Sequence, residues 1–300
     1  MICKFVSNIS DLGIEFKTEV ALSLYSSFKI GGPAAVMVFP HSKDELISVL
    51  NIANMLNVKY VVVGNGSNIL FDDSGYDGVV ISTIRMRMTK VTENVIWAEC
   101  GASLTAMAVS AMKNSLTGLE FAYGIPGSCG GAVFMNAGAY GSEISAVIDS
   151  AECYDVESNT IVTLANPELD LSYRHSVLMD KNNLIILSAT FILAPGDRAI
   201  IGDIMAQNQI SREQKQPLNE PHAGSIFKRH DKFIVSKIID ECGLKGYRVG
   251  GAKVSEKHAG FIVNCGSATS SDVLDLIAHI KKTIFKKHGF EPECEMRYIR

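Results

Sequence analysis

The sequence predicts an α+β fold in which a two-part, glycine-rich region is followed by a smaller α/β domain. Three observations carry this expectation. Residues 118–141 are dense in glycine, residues 147–193 are rich in strand-forming residues, and helical apolar spacing returns after Pro195-Gly196. The expected regions are 1–80, 81–196 and 197–300.

The stretch GLEFAYGIPGSCGGAVFMNAGAYG holds seven glycines in 24 residues. Each glycine inside a helix or strand costs about 0.5–1 kcal/mol relative to alanine, so the density needs a reason. Pro126-Gly127 sets a turn just before a helix start expected at Ser128. Backbone without side chains approaches a ligand closely, and the N–H groups of a helix start favour an anion such as a cofactor pyrophosphate. Close packing of backbone against backbone at a tight corner is the alternative.

In chain order, residues 1–33 read as a lead-in ending in SSFKIGGP, followed by a strand over 34–39. Ser42 and Glu45 form a capping box ahead of a helix with Leu46, Val49, Leu50 and Ala53 on one face. A strand over 59–63 runs into Gly64-Asn65-Gly66-Ser67-Asn68, and 69–71 resumes the apolar pattern. This loop is a second candidate phosphate cradle or a hairpin-like turn at Asn65-Gly66. It is not a dinucleotide fingerprint, because Ile69 stands where the third glycine belongs.

Strands are expected over 79–82 and 96–100, then a helix over 104–116. Further strands fall over 149–156, 160–164 and 184–193, with LSYRHS between the last two. A polar helix over 199–215 leads into the third region, where a helix over 233–241 stops at Gly243 and a strand covers 259–263. The last helix begins near Asp272, with Val273, Leu276, Ile277, Ile280 and Ile284 on one face and basic residues at its end. An alternating strand is expected over 291–299.

Composition narrows the function class. Hydrophobic residues at 47%, charged residues at 20% and a net charge of −4 suit a globular protein with a small-molecule partner rather than a nucleic-acid surface. The seven cysteines are scattered without a CxxC pair, which argues against a disulfide framework or zinc site and fits a reducing compartment. No stretch reaches the roughly 18 apolar residues of a membrane span. A cytoplasmic, monomeric protein binding neither membrane nor nucleic acid is expected.

Seven motifs in register carry a resemblance. SSFKIGGPA (26–34), VVGNGSNIL (62–70), GIPGSCGGAVFMNAGAYG (124–141), SYRHS (172–176), AGSIFK (223–228), GGAKVSEKHAGFIVN (250–264) and ECEMR (293–297) are similar to those of the UDP-N-acetylenolpyruvoylglucosamine reductases. That family is also called UDP-N-acetylmuramate dehydrogenase. The resemblance spans about residues 22–297 and is to the shorter type, without an extra tyrosine-bearing loop. It implies a flavoprotein of the vanillyl-alcohol-oxidase superfamily, with two PCMH-type FAD-binding subdomains (1–80 and 81–196) and a substrate-binding domain (197–300).

The activity so implied is NADPH-dependent reduction, through non-covalent FAD, of UDP-N-acetylglucosamine enolpyruvate in peptidoglycan precursor synthesis. Such a site needs a cation or donors for charge developing on the substrate carboxylate, and a proton donor. The resemblance assigns these to Arg174, Ser225 as the acid, and Glu295. A carboxylate facing the substrate carboxylate needs a shared proton or a nearby cation. Glu293 is a rival for the role of Glu295. The three residues are far apart in sequence and are expected to meet through closure of the third domain. Tyr173 and Lys228 are expected on the substrate.

For FAD, the resemblance points to Gly64, Asn65, Gly66, Ser67 and Asn68, to Gly124, Ile125, Pro126, Gly127 and Ser128, and to Gly131 and Gly138. Two departures stand out: Arg229-His230 where the family usually shows Asn-Pro, and His222 at an often small, polar site. Other readings are a non-catalytic flavin- or nucleotide-binding module and an FAD-dependent alcohol or sugar oxidase sharing only the cofactor domain.

Overall fold

The structure, a computed structural model, describes residues 1–230 and 232–300. It is a mixed helix and sheet fold that divides into two compact units. Each unit has its own hydrophobic core.

The first unit comprises Met1–Lys17, Val36–Asn65 and Gly78–Arg212. Its main sheet is antiparallel and five-stranded, in the order Thr160–Ala165, Ile148–Asp155, Leu184–Ile192, Val95–Glu99, Thr89–Thr92. The central strand Leu184–Ile192 is a nearly continuous apolar run because most of it is buried, whereas the edge strand Thr160–Ala165 alternates exposed and half-buried residues. A second element is the parallel pair Tyr60–Val63 and Tyr76–Ser82, in register from Tyr60↔Val79 to Val63↔Ser82.

Helix Lys43–Met55 begins where the spacing predicts, with the Ser42 hydroxyl accepting the Glu45 N–H. The reciprocal half of the box differs: the Glu45 carboxylate takes the N–H of His41. Helix Leu104–Lys113 starts on Ser103 in the same way and ends three residues before the expected Leu116, which opens a two-residue strand. A helix over Ile2–Asp11, inside the supposed lead-in, was not anticipated. It forms because Phe5 and Ile9 fall one turn apart and are both buried.

The second unit comprises Thr18–Ala35, Gly66–Asp77 and Glu213–Arg300. Its antiparallel sheet runs His222–Ser225, Phe261–Asn264, Ala252–Val254, Arg248–Val249. Helix Ser270–His288 covers it with Val273, Leu276, Ile277, Ile280 and Ile284 buried, opens on a Thr269–Asp272 capping box and closes on Gly289 at φ +74°.

The two early segments enter this unit's core through Phe28, Ile30 and Leu70. Polar ties hold them there. The amide of Asn264 donates to the carbonyls of Phe28 (3.1 Å) and Lys29 (3.4 Å). The carboxylate of Asp73 accepts the N–H groups of Ser270 (2.8 Å) and Ser271 (3.3 Å) and the Ser270 hydroxyl, capping the long helix from a distant part of the chain.

The strand expected over 291–299 is confined to Arg297–Ile299, which pairs in parallel with Ile69–Phe71. Residues 293–295 pair elsewhere: Lys228 N–H donates to the Glu293 carbonyl and Glu295 N–H to the Ile226 carbonyl. The hairpin reading of residues 64–68 also fails, since Tyr60–Val63 and Ile69–Phe71 lie in different sheets.

Candidate functional site

In the first unit the two glycine-rich loops come together. A Cβ at Gly64 would lie 2.1 Å from the Ser128 hydroxyl, so only glycine allows that approach. Next to it the Asn65 amide donates to the Pro126 carbonyl at 3.3 Å. Gly124, at φ +80°, donates its N–H to the Thr105 hydroxyl. Ile125, Pro126 and Gly127 complete the turn, and the Ile125 N–H is tied to Ala122.

Ser128 caps the six-residue helix Cys129–Phe134, as the sequence leads one to expect. The first N–H groups of that helix are already used. Cys129 donates to Ala102 (2.8 Å), Gly130 to Cys100 (2.7 Å), and Gly131 to the Ser128 hydroxyl (3.4 Å). Here the close-packing alternative holds: a Cβ at Gly130 would sit 3.0 Å from that of Cys100.

A cation lies beside this turn that sequence reasoning missed. Helix Arg198–Lys215 passes over Gly124, where an added Cβ would lie 2.6 Å from Gln209 Oε1 and 3.6 Å from Arg212 Cδ. Arg212 is half-buried, and its guanidinium has no hydrogen-bond or ion-pair partner among the described residues. Burial pulls its pKa below the ordinary arginine value. A desolvated cation without a counter-charge is costly unless something anionic joins it. Its only sequence signal was one arginine among the charges of a polar helix.

Arg174 sits at the tip of a tight turn. Ser172 and His175 exchange both backbone hydrogen bonds (3.2 and 3.1 Å), which leaves Tyr173 and Arg174 as the two central residues. Arg174 is at φ +55°, a left-handed conformation that costs an ordinary side chain on the order of 1–2 kcal/mol. Its guanidinium donates to the carbonyls of Gly138 (3.1 Å) and Asn136 (3.4 Å) and lies 5.1 Å from the Tyr173 ring centre. Tyr173 is 38% exposed. Gly138 pairs with Glu143, and a Cβ there would come within 2.6 Å of the Glu143 Cβ.

In the second unit Ser225 and Glu295 are neighbours. Ser225 ends the strand His222–Ser225, and its hydroxyl donates to the Phe227 carbonyl at 3.3 Å. Glu295 lies on the adjoining segment, its N–H 2.8 Å from the Ile226 carbonyl. Both side chains are half-buried. Glu293, the rival, points outward at 71% side-chain exposure and pairs with Lys228. Asn68 reaches the same place through its amide, which donates to the Glu295 carbonyl at 3.2 Å. Ser67 is half-buried, and Gly66 at φ +62° has room for no Cβ, which would meet the Tyr25 carbonyl at 2.2 Å. The candidate residues thus fall in two groups, Arg174 in the first unit and Ser225 with Glu295 in the second.

Both departures from the family pattern have structural partners. The His222 ring accepts the Gly224 N–H at 2.9 Å and meets Phe261 edge-on. His230 packs on Phe290 and Phe233 at 4.4 and 5.2 Å between ring centres.

Comparison with known proteins gives consistent matches along the chain. Residues 34–165 match an FAD binding domain, and residues 216–299 match the C-terminal domain of UDP-N-acetylenolpyruvoylglucosamine reductase. A reductase of that name from Clostridium novyi is 46% identical over 95% of this chain and 92% of its own. One from Caldicellulosiruptor saccharolyticus is 46% identical over 99% of this chain and 96% of its own. The crystal structure of the UDP-N-acetylenolpyruvylglucosamine reductase of Thermus caldophilus superposes with a TM-score of 0.81 at 29% identity, covering 96% of this chain and 99% of that one.

Proposed function

The chain belongs to the UDP-N-acetylenolpyruvoylglucosamine reductase family, FAD-dependent oxidoreductases of peptidoglycan precursor synthesis, and from that membership we propose how its own residues divide the work. The substrate is UDP-N-acetylglucosamine enolpyruvate, the hydride donor is NADPH, and the product is UDP-N-acetylmuramate. Residues 1–80 and 81–196, joined by Arg212, serve FAD, and the rest of residues 197–300 serves the UDP-sugar. The enzyme works as a cytoplasmic monomer, and among the described residues no helix is long and apolar enough to cross a membrane.

Bound FAD would supply the hydride that the terminal carbon of the enolpyruvyl group receives, after taking it from the nicotinamide. The loop 64–68, the turn 124–128, Gly131 and Gly138 would hold the cofactor. Two observations support the fit: the close approach that Gly64 permits at Ser128, and the half-buried Arg212 beside Gly124, which has no ion-pair partner among the described residues. Because the helix start spends its donors internally, Arg212 rather than that helix supplies the positive charge for the pyrophosphate.

Hydride addition leaves an electron pair on the adjacent carbon, delocalised into the carboxylate. Arg174 pairs with that carboxylate, and its fixed guanidinium costs no reorganisation when the charge appears. Ser225 gives its hydroxyl proton to the carbon and recovers one from solvent, so one hydride and one proton add across the double bond. Glu295 holds and polarises the carboxylate end, and Lys228 with Tyr173 binds the diphosphate side of the substrate.

The observation that carries this reading is the juxtaposition of Ser225 and Glu295 through the Ile226 carbonyl. The test is anaerobic stopped-flow absorbance: reduce the flavin with NADPH, then add the enolpyruvyl substrate. Rapid return of the oxidised spectrum, lost in Ser225→Ala, is expected. A flavin that substrate leaves reduced while oxygen reoxidises it sinks the reading.

A further inference from the structure

We infer that Asn136 is the positioning residue that sets the direction of Arg174. The inference rests on the role proposed above for Arg174. Asn136 lies in the MNAG part of the glycine-rich stretch and is fully buried. A buried carboxamide must have its donors and acceptor satisfied, and this one does so by joining three separate pieces of chain. Its Nδ2 donates to the Ser172 carbonyl at 2.9 Å and to the Glu143 carboxylate at 3.0 Å. Its Oδ1 accepts the Ser145 N–H at 2.9 Å, and the Ser145 hydroxyl returns to the same Glu143 carboxylate at 2.8 Å.

Asn136 therefore acts on Arg174 from both ends. Through Ser172 it anchors the base of the turn that keeps the Arg174 backbone left-handed. Through its own carbonyl, and that of Gly138 two residues on, it receives the guanidinium. Asn136 is itself left-handed at φ +41°, a conformation that asparagine tolerates better than most residues, so its side chain and backbone are matched to one place. Two carbonyls fix the plane of a guanidinium as one could not. Strained backbone persists where the surroundings over-determine it, and it concentrates where geometry serves function.

The test uses the FAD-loaded enzyme with Asn136→Gly, which keeps the left-handed backbone and deletes the carboxamide, and Asn136→Asp, which keeps the volume but turns two donors into an acceptor facing acceptors. Both are made alone and with Arg174→Lys. The readouts are flavin content, flavin reduction by NADPH, and flavin reoxidation by the enolpyruvyl substrate. Reduction within about 2-fold of the parent and reoxidation slowed about 10-fold or more is expected, with no further slowing on adding Arg174→Lys. A merely structural residue would lower flavin content or slow both half-reactions together, and either outcome overturns the inference, as does a slowing that multiplies with Arg174→Lys. If Arg174→Lys alone leaves reoxidation unchanged, the role given to Arg174 fails instead.

Discussion

The side-chain amide of Asn68 holds the backbone carbonyl of Glu295 at 3.2 Å, and the Asn68 carbonyl receives the N–H of Arg297 at 3.0 Å. One asparagine thus brackets the segment that presents the candidate glutamate. Asn68→Ala leaves the Glu295 carbonyl without this donor. It is expected to cost about 1 kcal/mol of stability, read by urea unfolding, and to slow flavin reoxidation by substrate more than flavin reduction. Unchanged stability and rates would remove Asn68 from this role.

Arg212→Ala is expected to weaken FAD binding about 10- to 100-fold, the equivalent of about 1.5–3 kcal/mol for a lost charged hydrogen bond. Titration of apoprotein with FAD, followed by flavin fluorescence, reads the constant directly. The gap between variant and parent should narrow as salt rises. Equal affinity at every salt concentration would show that Arg212 answers some other anion.

The Asp272 carboxyl is held below its ordinary range, chiefly by the N–H of Gly251 and then that of Thr269. A depressed carboxylate stabilises the fold fully above its unfolded pKa, about 3.9, and that contribution is lost as pH falls through the lower folded value. Asp272→Asn should therefore destabilise the protein at neutral pH and differ progressively less in acid. Thermal transitions of both proteins from pH 7 down to about 3 give the comparison, and a constant gap refutes it.

The seven thiols should sort by burial. Cys3 and Cys265 are exposed, while Cys100, Cys129 and Cys153 are buried. Burial pushes Cys100 and Cys153 up to about 12 and Cys129 also upward, so none of the three offers a thiolate at neutral pH. Native alkylation followed by peptide mass spectrometry should label Cys3 and Cys265 first and those three only after denaturation. Rapid native labelling of Cys153 would contradict the described core.

What the sequence made legible was local. The caps at Ser42 and Ser128 and the apolar face of Val273 to Ile284 are written in neighbouring residues, whereas the Ser103 cap was not singled out and the last helix opens on Thr269, ahead of the expected Asp272. The helix over Ile2–Asp11 was legible in principle from Phe5 and Ile9 but lies in a short, polar-flanked segment. The pairing of Arg297–Ile299 with Ile69–Phe71 was not, because strand partners separated by more than 200 residues leave no local trace. The same holds for the site. Arg174, Ser225 and Glu295 came from motif resemblance, whereas Arg212 and Asn136 matter only for what the fold sets beside them.

The capping of Ser270 by Asp73 spans 197 residues, and Phe28, Ile30 and Leu70 likewise await a core formed by residues 223–296. During synthesis these early segments emerge long before their partners exist. At about 5–20 residues per second the wait is about 10–40 s. The first unit's chain is finished at Arg212, while the second unit cannot close until the last helix leaves the ribosome. Until then its N-terminal pieces leave Phe28, Ile30 and Leu70 without their core partners, and a message truncated after Arg212 leaves them so permanently.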